Sequence, residues 1–299
     1  MVRVGIDWGS SAFRAYQFNH QGKVIESISA DLGIKFIQNG NFAETLFSQI
    51  GTWLTPGDQV LLSGMITSRN GWVETPYVPC PADLQQVLNT AVRKEVNDIE
   101  LIFLPGLCQP DPSDVMRGEE IQLFGAESIQ PIQLAVMPGT HSKWTTINDG
   151  CIQGFHTIAT GEIFEILLEH SLIGNLYVGN GWIETAFIRG VDKGFQCKNI
   201  IRELFTCRAA VLLGQHSRTD IFSYLSGLLI GNEIREGMDL TNWNLQESSS
   251  AIVTLIGSAS LCPRYLTALK QLGIKAVVGP EDAVVPGFQQ IISLLNGSK

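Results

Sequence analysis

The chain has 299 residues, 44% of them hydrophobic, and a formal net charge of −9 at pH 7. That length suggests two domains at about 150 residues each, and an acidic balance without a basic run argues against a nucleic-acid partner. No stretch reaches the ~18 uninterrupted apolar residues of a spanning helix and no leader pattern is visible, so the expectation is a cytoplasmic protein with no membrane partner.

Hydrophobic periodicity predicts strands over 3–7, 13–18 and 24–29, then a helix over 42–54 with Phe42, Leu46, Ile50 and Trp53 on one face. A buried strand over 59–63, a helix over 83–92 and a strand over 99–104 follow. The polar, proline-broken segment 109–114 reads as a hinge. Beyond it come a helix over 118–128 and a strand over 134–138 that opens a second meander. Helices over 162–170, 182–189, 199–213 and 221–236, a strand over 251–257, a helix over 263–272, a strand over 275–279 and a closing helix over 285–295 complete an α/β order. Six scattered cysteines without C-x-x-C spacing read as reduced thiols, not a zinc site or a disulfide framework.

The two meanders open alike, Asp7-Trp8-Gly9-Ser10-Ser11 in the first and Met137-Pro138-Gly139-Thr140-His141 in the second. A buried strand that runs into such a turn brings backbone N–H groups to a sheet edge, where a phosphate can sit. Glycine permits close approach, and a hydroxyl adds a donor. Two such turns suggest two clasps on one polyphosphate, Gly9, Ser10 and Ser11 in one and Gly139 and Thr140 in the other. Asp7, the last side chain of its strand, is placed to hold Mg²⁺ through water, as phosphoryl transfer requires. Taken singly, each turn also reads as an ordinary hairpin, and neither matches the P-loop or the dinucleotide turn. At Arg117-Gly118-Glu119-Glu120 two carboxylates stand at a helix start, where they suit either proton transfer or capping worth ~0.3–1 kcal/mol.

These blocks carry a resemblance. Asp7-Trp8-Gly9-Ser10-Ser11 with Arg14 resembles the first phosphate motif of the sugar kinase, heat-shock ATPase and actin superfamily. Ser63-Gly64-Met65 with Gly71-Trp72, Pro105-Gly106-Leu107-Cys108, Arg117-Gly118-Glu119-Glu120, Met137-Pro138-Gly139-Thr140-His141 with Lys143-Trp144, and Thr160-Gly161-Glu162 are similar, in order, to 2-dehydro-3-deoxygalactonokinases. The resemblance implies an α/β, two-domain actin-like ATPase (ribonuclease H-like) fold with an interdomain nucleotide cleft. Residues 1–116 would form the sugar-side domain and 117–299 the second, with helix 285–295 returning to the first. It implies ATP and Mg²⁺ as cofactors and transfer of the γ-phosphoryl group to the 6-hydroxyl of 2-dehydro-3-deoxy-D-galactonate. The alternatives are an exopolyphosphatase-like phosphohydrolase or a kinase of another sugar acid; a homodimer stays open.

The same likeness assigns roles. Aligned with the exopolyphosphatase Gly-x-Glu-Glu segment, the catalytic base falls on Glu120, with Glu119 the neighbour that contacts substrate or metal-bound water. Asp7 is the metal residue, because Met137 stands where many superfamily members carry a second Asp. His141 and Lys143 would neutralise phosphoryl charge, and Gly257-Ser258 would approach the adenosine. Arg14, Ser68, Arg69, Trp72 and Arg117 are the expected sugar-acid contacts, with arginine suited to bidentate carboxylate binding.

Overall fold

The computed structural model describes residues 3–179, 181–243 and 252–297. The chain divides into two compact units, one of Met1–Ile132, Ile147–Gly154 and Asp282–Lys299, the other of Gln133–Thr146 and Phe155–Glu281.

The first unit opens with β1 (Arg3–Trp8), β2 (Phe13–Phe18), β3 (Val24–Ala30), α1 (Phe42–Ile50) and β4 (Gln59–Ser63). It continues through β5 (Val78–Pro79), α2 (Leu84–Asn89), β6 (Val92–Val96), β7 (Ile99–Phe103), β8 (Leu107–Pro110), β9 (Ser113–Met116) and α3 (Glu119–Ile129). Its six-stranded sheet runs β3-β2-β1-β4-β7-β6. The β1–β2 pair is antiparallel and the β1–β4 pair parallel, so the C-terminal ends of β1 and β4 lie side by side, with Asp7 opposite Ser63. One core forms as Val4, Ile6, Trp8, Leu46, Ile50, Val60, Leu62 and Phe103 pack together.

The second sheet, formed by β10 (Leu134–Met137), β11 (Ser142–Asn148), β12 (Cys151–Ile158), β13 (Val253–Leu255) and β14 (Ala276–Val278), is ordered β12-β11-β10-β13-β14 and belongs to the second unit except for residues 147–154. The helices of that unit are α4 (Thr160–His170), α5 (Glu184–Gln196), α6 (Ile200–Leu212), α7 (Ile221–Leu240) and α8 (Cys262–Gln271). An antiparallel β10–β11 pair beside a parallel β10–β13 pair repeats the local order of the first sheet. Helices α5 and α7 meet at glycines: a Cβ on Gly190 would lie 2.2 Å from Tyr224 O, and one on Gly227 would lie 2.1 Å from Phe187 O. The chain returns to the first unit as α9 (Val284–Gly297). There Gly125 of α3 and Gly287 of α9 let the helix backbones touch, since an added Cβ would sit 1.8 Å from Ala283 O or 2.2 Å from Ile121 O. Phe288 covers Gly5 of β1 in the same way.

Most expected elements form near their expected bounds, but the 182–189 helix continues as α5 to Gln196, the 221–236 helix continues as α7 to Leu240, and the 83–92 helix stops as α2 at Asn89. Four further regions also differ. The 42–54 helix ends as α1 at Ile50 and finishes in a 3-10 turn, Gly51–Trp53. Segment 109–114 is not a linker but the tip of the β8–β9 hairpin, inside the first unit with α3. It reads as polar because Pro110, Asp111, Pro112 and Ser113 are exposed at a sheet edge. Strand β6 was hidden by its Arg93-Lys94-Glu95 run, which is exposed on an edge strand. Asn97 and Asp98, at φ 54° and 60°, make the tight turn into β7. Of the 251–257 strand, Val253–Leu255 is present, while Ala251 lies outside the described residues.

Candidate active site

Three backbone ends converge in the first unit. Gly64 after β4 and Gly118 before α3 have φ of 92° and 106°. A Cβ on Gly64 would lie 2.9 Å from Trp8 O and 3.2 Å from Asp7 Oδ1, and one on Gly118 would lie 3.0 Å from Gly64 Cα. The ends of β1 and β4 and the start of α3 therefore meet with no side chain between them, and this brings the acidic residues together.

Asp7 has a side chain only 14% exposed, with Arg14 Nε 3.8 Å from its Oδ2. Burial raises its pKa above the ordinary carboxylate range; Arg14 opposes the shift and Glu119 adds to it. Glu119 Oε2 accepts from Arg117 N at 2.9 Å. Glu120 is fully buried, and its Oε2 accepts from Gly118 N at 2.7 Å. Both carboxylates thus take up amides at the start of their own helix, the capping arrangement. Glu120 goes beyond capping, however. Its Oε1 is buried with no hydrogen-bond partner among the described residues. Desolvation, reinforced by Glu119, pushes its pKa up to about 8. The Ser63 hydroxyl, at the end of β4, is also buried and unpartnered there.

A magnesium ion accompanying a nucleotide needs one or two carboxylates, with phosphate and water filling the other positions. Asp7 fits that demand. Among the described residues no group of three or more acidic, histidine or cysteine side chains could hold a metal unaided.

The first turn is supported by main chain. Gly9 N donates to Ala12 O at 2.9 Å, while Gly9 O, Ser10 O and Ser11 O accept from Ile34, Lys35 and Gly33 at 3.0–3.3 Å. Ser10 and Ser11 stay exposed. In the second turn Gly139 N faces Ser142 Oγ at 3.5 Å, and Thr140 O accepts from Glu162 N at 3.0 Å. His141 is exposed, and its Nε2 lies 2.9 Å from Glu162 Oε2. Lys143 is buried on β11, not solvated. Gly257 has φ 113°, and Ser258 lies at the start of α8, its carbonyl taking the Cys262 amide at 2.9 Å.

The expected sugar-acid residues separate into two groups. Arg14 and Arg69 are exposed, and Ser68 is half-buried with its hydroxyl on Met65 O at 2.7 Å. Arg117 and Trp72 have other duties. Arg117 Nη1 lies 2.6–2.8 Å from Thr67 O, Thr67 Oγ1 and Thr75 Oγ1, and its guanidinium stacks on Tyr77 at 4.3 Å. It clamps the 65–77 loop and has few donors left for a ligand. Trp72 packs between Phe42 and Phe103 as part of the core. No local pattern in the sequence points to Glu233 and Tyr265, which lie beneath the second turn, or to Arg264, which stacks on Trp182 at 4.7 Å.

The 2-keto-3-deoxy-galactonokinase family model matches residues 7–291. The chain belongs to that family. It is 35% identical over 295 residues to the 2-dehydro-3-deoxygalactonokinase of Escherichia coli (strain K12), covering 96% of each chain. A crystal structure of a Sinorhizobium meliloti protein, provisionally given the same kinase name, matches at TM-score 0.84 and 29% identity, covering 98% of this chain and 96% of that one. Xylulose kinase from Lactobacillus acidophilus, at TM-score 0.55 and 8% identity, covers 100% of this chain and 90% of its own and shares the fold alone. The fold is the actin-like one of sugar kinases, and the chain is a carbohydrate kinase of the 2-dehydro-3-deoxygalactonate type. Among the described residues no helix is long and apolar enough to cross a membrane.

Proposed function

We propose that this chain transfers the γ-phosphoryl group of ATP to the 6-hydroxyl of 2-dehydro-3-deoxy-D-galactonate, with Glu120 as general base. The observation that supports this assignment is the orphaned Oε1 of Glu120. Capping uses only Oε2, and a buried, unpaired carboxyl oxygen costs stability. A group kept at that cost is better explained by chemistry than by folding.

Oε1 accepts the sugar hydroxyl proton while that oxygen attacks the γ-phosphorus. The bond from γ-phosphorus to the β–γ bridging oxygen breaks, ADP leaves, and Glu120 passes its proton to water. With its pKa near 8 the free enzyme holds Glu120 protonated at neutral pH, so the base form grows as pH rises toward 8. Asp7 is assigned to the magnesium that accompanies ATP, an ion that would neutralise phosphate charge. The amides of the two turns are assigned to the phosphates, and the Arg264–Trp182 shelf beside Ser260 to the nucleoside. Arg14, Arg69 and Ser68 are assigned to the sugar acid, with Arg117 and Trp72 supporting the loop that carries Ser68 and Arg69.

A coupled assay of ADP release with several 2-keto-3-deoxy sugar acids, alongside a control without sugar, tests the reading. Turnover should need the sugar acid and favour the galacto acceptor. Rapid phosphate release without any sugar would replace the kinase with a phosphohydrolase.

A further inference from the structure

A buried carboxyl group that none of the roles above employs lies beneath the second turn. Glu233, midway along α7, is completely buried. Its Oε1 accepts from Trp144 Nε1 at 3.0 Å and its Oε2 from the Tyr265 hydroxyl at 2.5 Å. The Ser142 and Thr160 hydroxyls also bond toward it. These partners come from β11, α4 and α8, and each is a neutral donor. Burial raises the pKa of Glu233, and burial together with this carboxyl raises that of Tyr265 well above the ordinary phenol range.

A buried carboxyl without a cation is costly, and its donors offset that cost only in part. An inert core polar group would end among core atoms. This one does not. The single hydroxyl proton of Tyr265 goes to Glu233, so the Ser142 hydroxyl, 3.2 Å from Tyr265 Oη and also close to Glu233, directs its own proton into this pair. Ser142 then has only lone pairs left for Gly139 N, 3.5 Å away. A line of hydrogen bonds therefore runs from α7 through α8 and β11 to the amide of the second turn. Thr160 and Tyr265 also line a cavity of about 50 Å³ that opens against Gly139 and Gly161. Helix α7 is seated tightly over the same strand, since a Cβ on Gly237 would lie 2.2 Å from the Trp144 ring.

We propose that Glu233 is a positioning residue for the nucleotide phosphates: by fixing the Tyr265 and Ser142 hydroxyls it fixes the Gly139–Thr140 turn, without touching the ligand itself. This rests on the assignment of that turn to the phosphates. The hydroxyls are held in one orientation before ATP arrives, so the turn need not be ordered at the expense of binding.

The test uses the full-length enzyme with Glu233→Gln, Tyr265→Phe and Ser142→Ala, and with Gly139→Ala as a marker of the turn. KM for ATP, KM for the sugar acid, kcat per folded enzyme and Tm are measured for each. Tyr265→Phe keeps the ring and its packing, so it decides the matter where Glu233→Gln fails to fold. Tyr265→Phe should raise the KM for ATP about tenfold, the loss of roughly one good hydrogen bond, and leave the sugar KM within about twofold. Combining it with Ser142→Ala should add little, because both interrupt one line. A lower Tm with the KM for ATP unchanged in Tyr265→Phe would overturn the proposal and leave the network a core element only. If Gly139→Ala also leaves the KM for ATP unchanged, the phosphate assignment of the turn fails and the proposal falls with it. If Gly139→Ala raises that KM and the network variants do not, positioning alone is wrong.

Discussion

The two Gly-Ser/Thr turns share a strand order and differ in what holds them. In the first, three carbonyls of the turn accept amides from residues 33–35, and Gly33 is packed so closely that a Cβ would lie 2.2 Å from Ser10 O. In the second, a single such bond, from Glu162 N to Thr140 O, is joined by buried side chains that run from Ser142 through Tyr265 to Glu233. The strand ends differ too. Asp7 pairs across its hairpin with Arg14, while Met137, two residues before the matching glycine, pairs with Lys143. A turn held by main chain leaves its neighbouring side chains free for chemistry, and the first unit carries the acidic groups. A turn held by side chains offers only its amides and depends on residues distant in sequence.

The sharpest break in this comparison is expected at Glu120, which has no counterpart at the second turn. Glu120→Gln should lower kcat by ~10²–10⁴ with the KM for ATP nearly unchanged. If Glu119→Gln is dead and Glu120→Gln normal, the base is the neighbouring residue. The pH dependence has a definite sign. The folded pKa of Glu120 is raised to about 8, so the native state binds more protons than the unfolded chain, and stability falls as pH rises from the ordinary carboxylate range through 8. Removing this group should therefore raise Tm at pH 8 and above as it removes activity. The ascending limb of kcat/KM against pH should lie near 8 in the wild type.

Next in size are Gly9→Ala and Gly139→Ala. The nearest protein atoms to a Cβ there are 3.7 Å and 3.9 Å away, so the fold accommodates alanine at both. A phosphate drawn against the turn does not. Each should raise the KM for ATP ~10–100-fold, the worth of one or two charged hydrogen bonds, with Tm unchanged. A loss of Tm in either would show that the glycine serves the fold.

Asp7→Asn should weaken turnover and shift its magnesium dependence, whereas Met137→Leu at the matching position should leave that dependence unchanged. A magnesium titration of both variants that gives wild-type curves would remove Asp7 from the metal site. The smallest effect separates the arginines. Arg14→Ala should raise the sugar KM about tenfold, the lower end of a charged hydrogen bond's worth. Arg117→Ala should instead lower Tm by releasing the Thr67 and Thr75 oxygens, measured by thermal melts beside the kinetics.

The α/β order, the repeated meander, the actin-like kinase family and the two turns were legible along the chain, because those depend on local periodicity and on short motifs. The sequence also brought Glu119, Glu120 and Asp7 to notice, since an acidic pair at a helix start and an acid at a strand end are local patterns. That Glu120 Oε1 is left buried without a partner among the described residues was set by the fold, because it depends on what α3 is buried against. The fold also decided that Arg117 and Trp72 serve the loop and the core, that segment 109–114 is a hairpin tip, and that the charged stretch of β6 is an edge strand. Glu233 was beyond reach from the sequence, since it lies 89 residues from Trp144 and 32 from Tyr265 along the chain. Its meaning arises only when three helices, a strand and a turn fold together, because a buried carboxyl is defined by its partners and not by its neighbours in sequence.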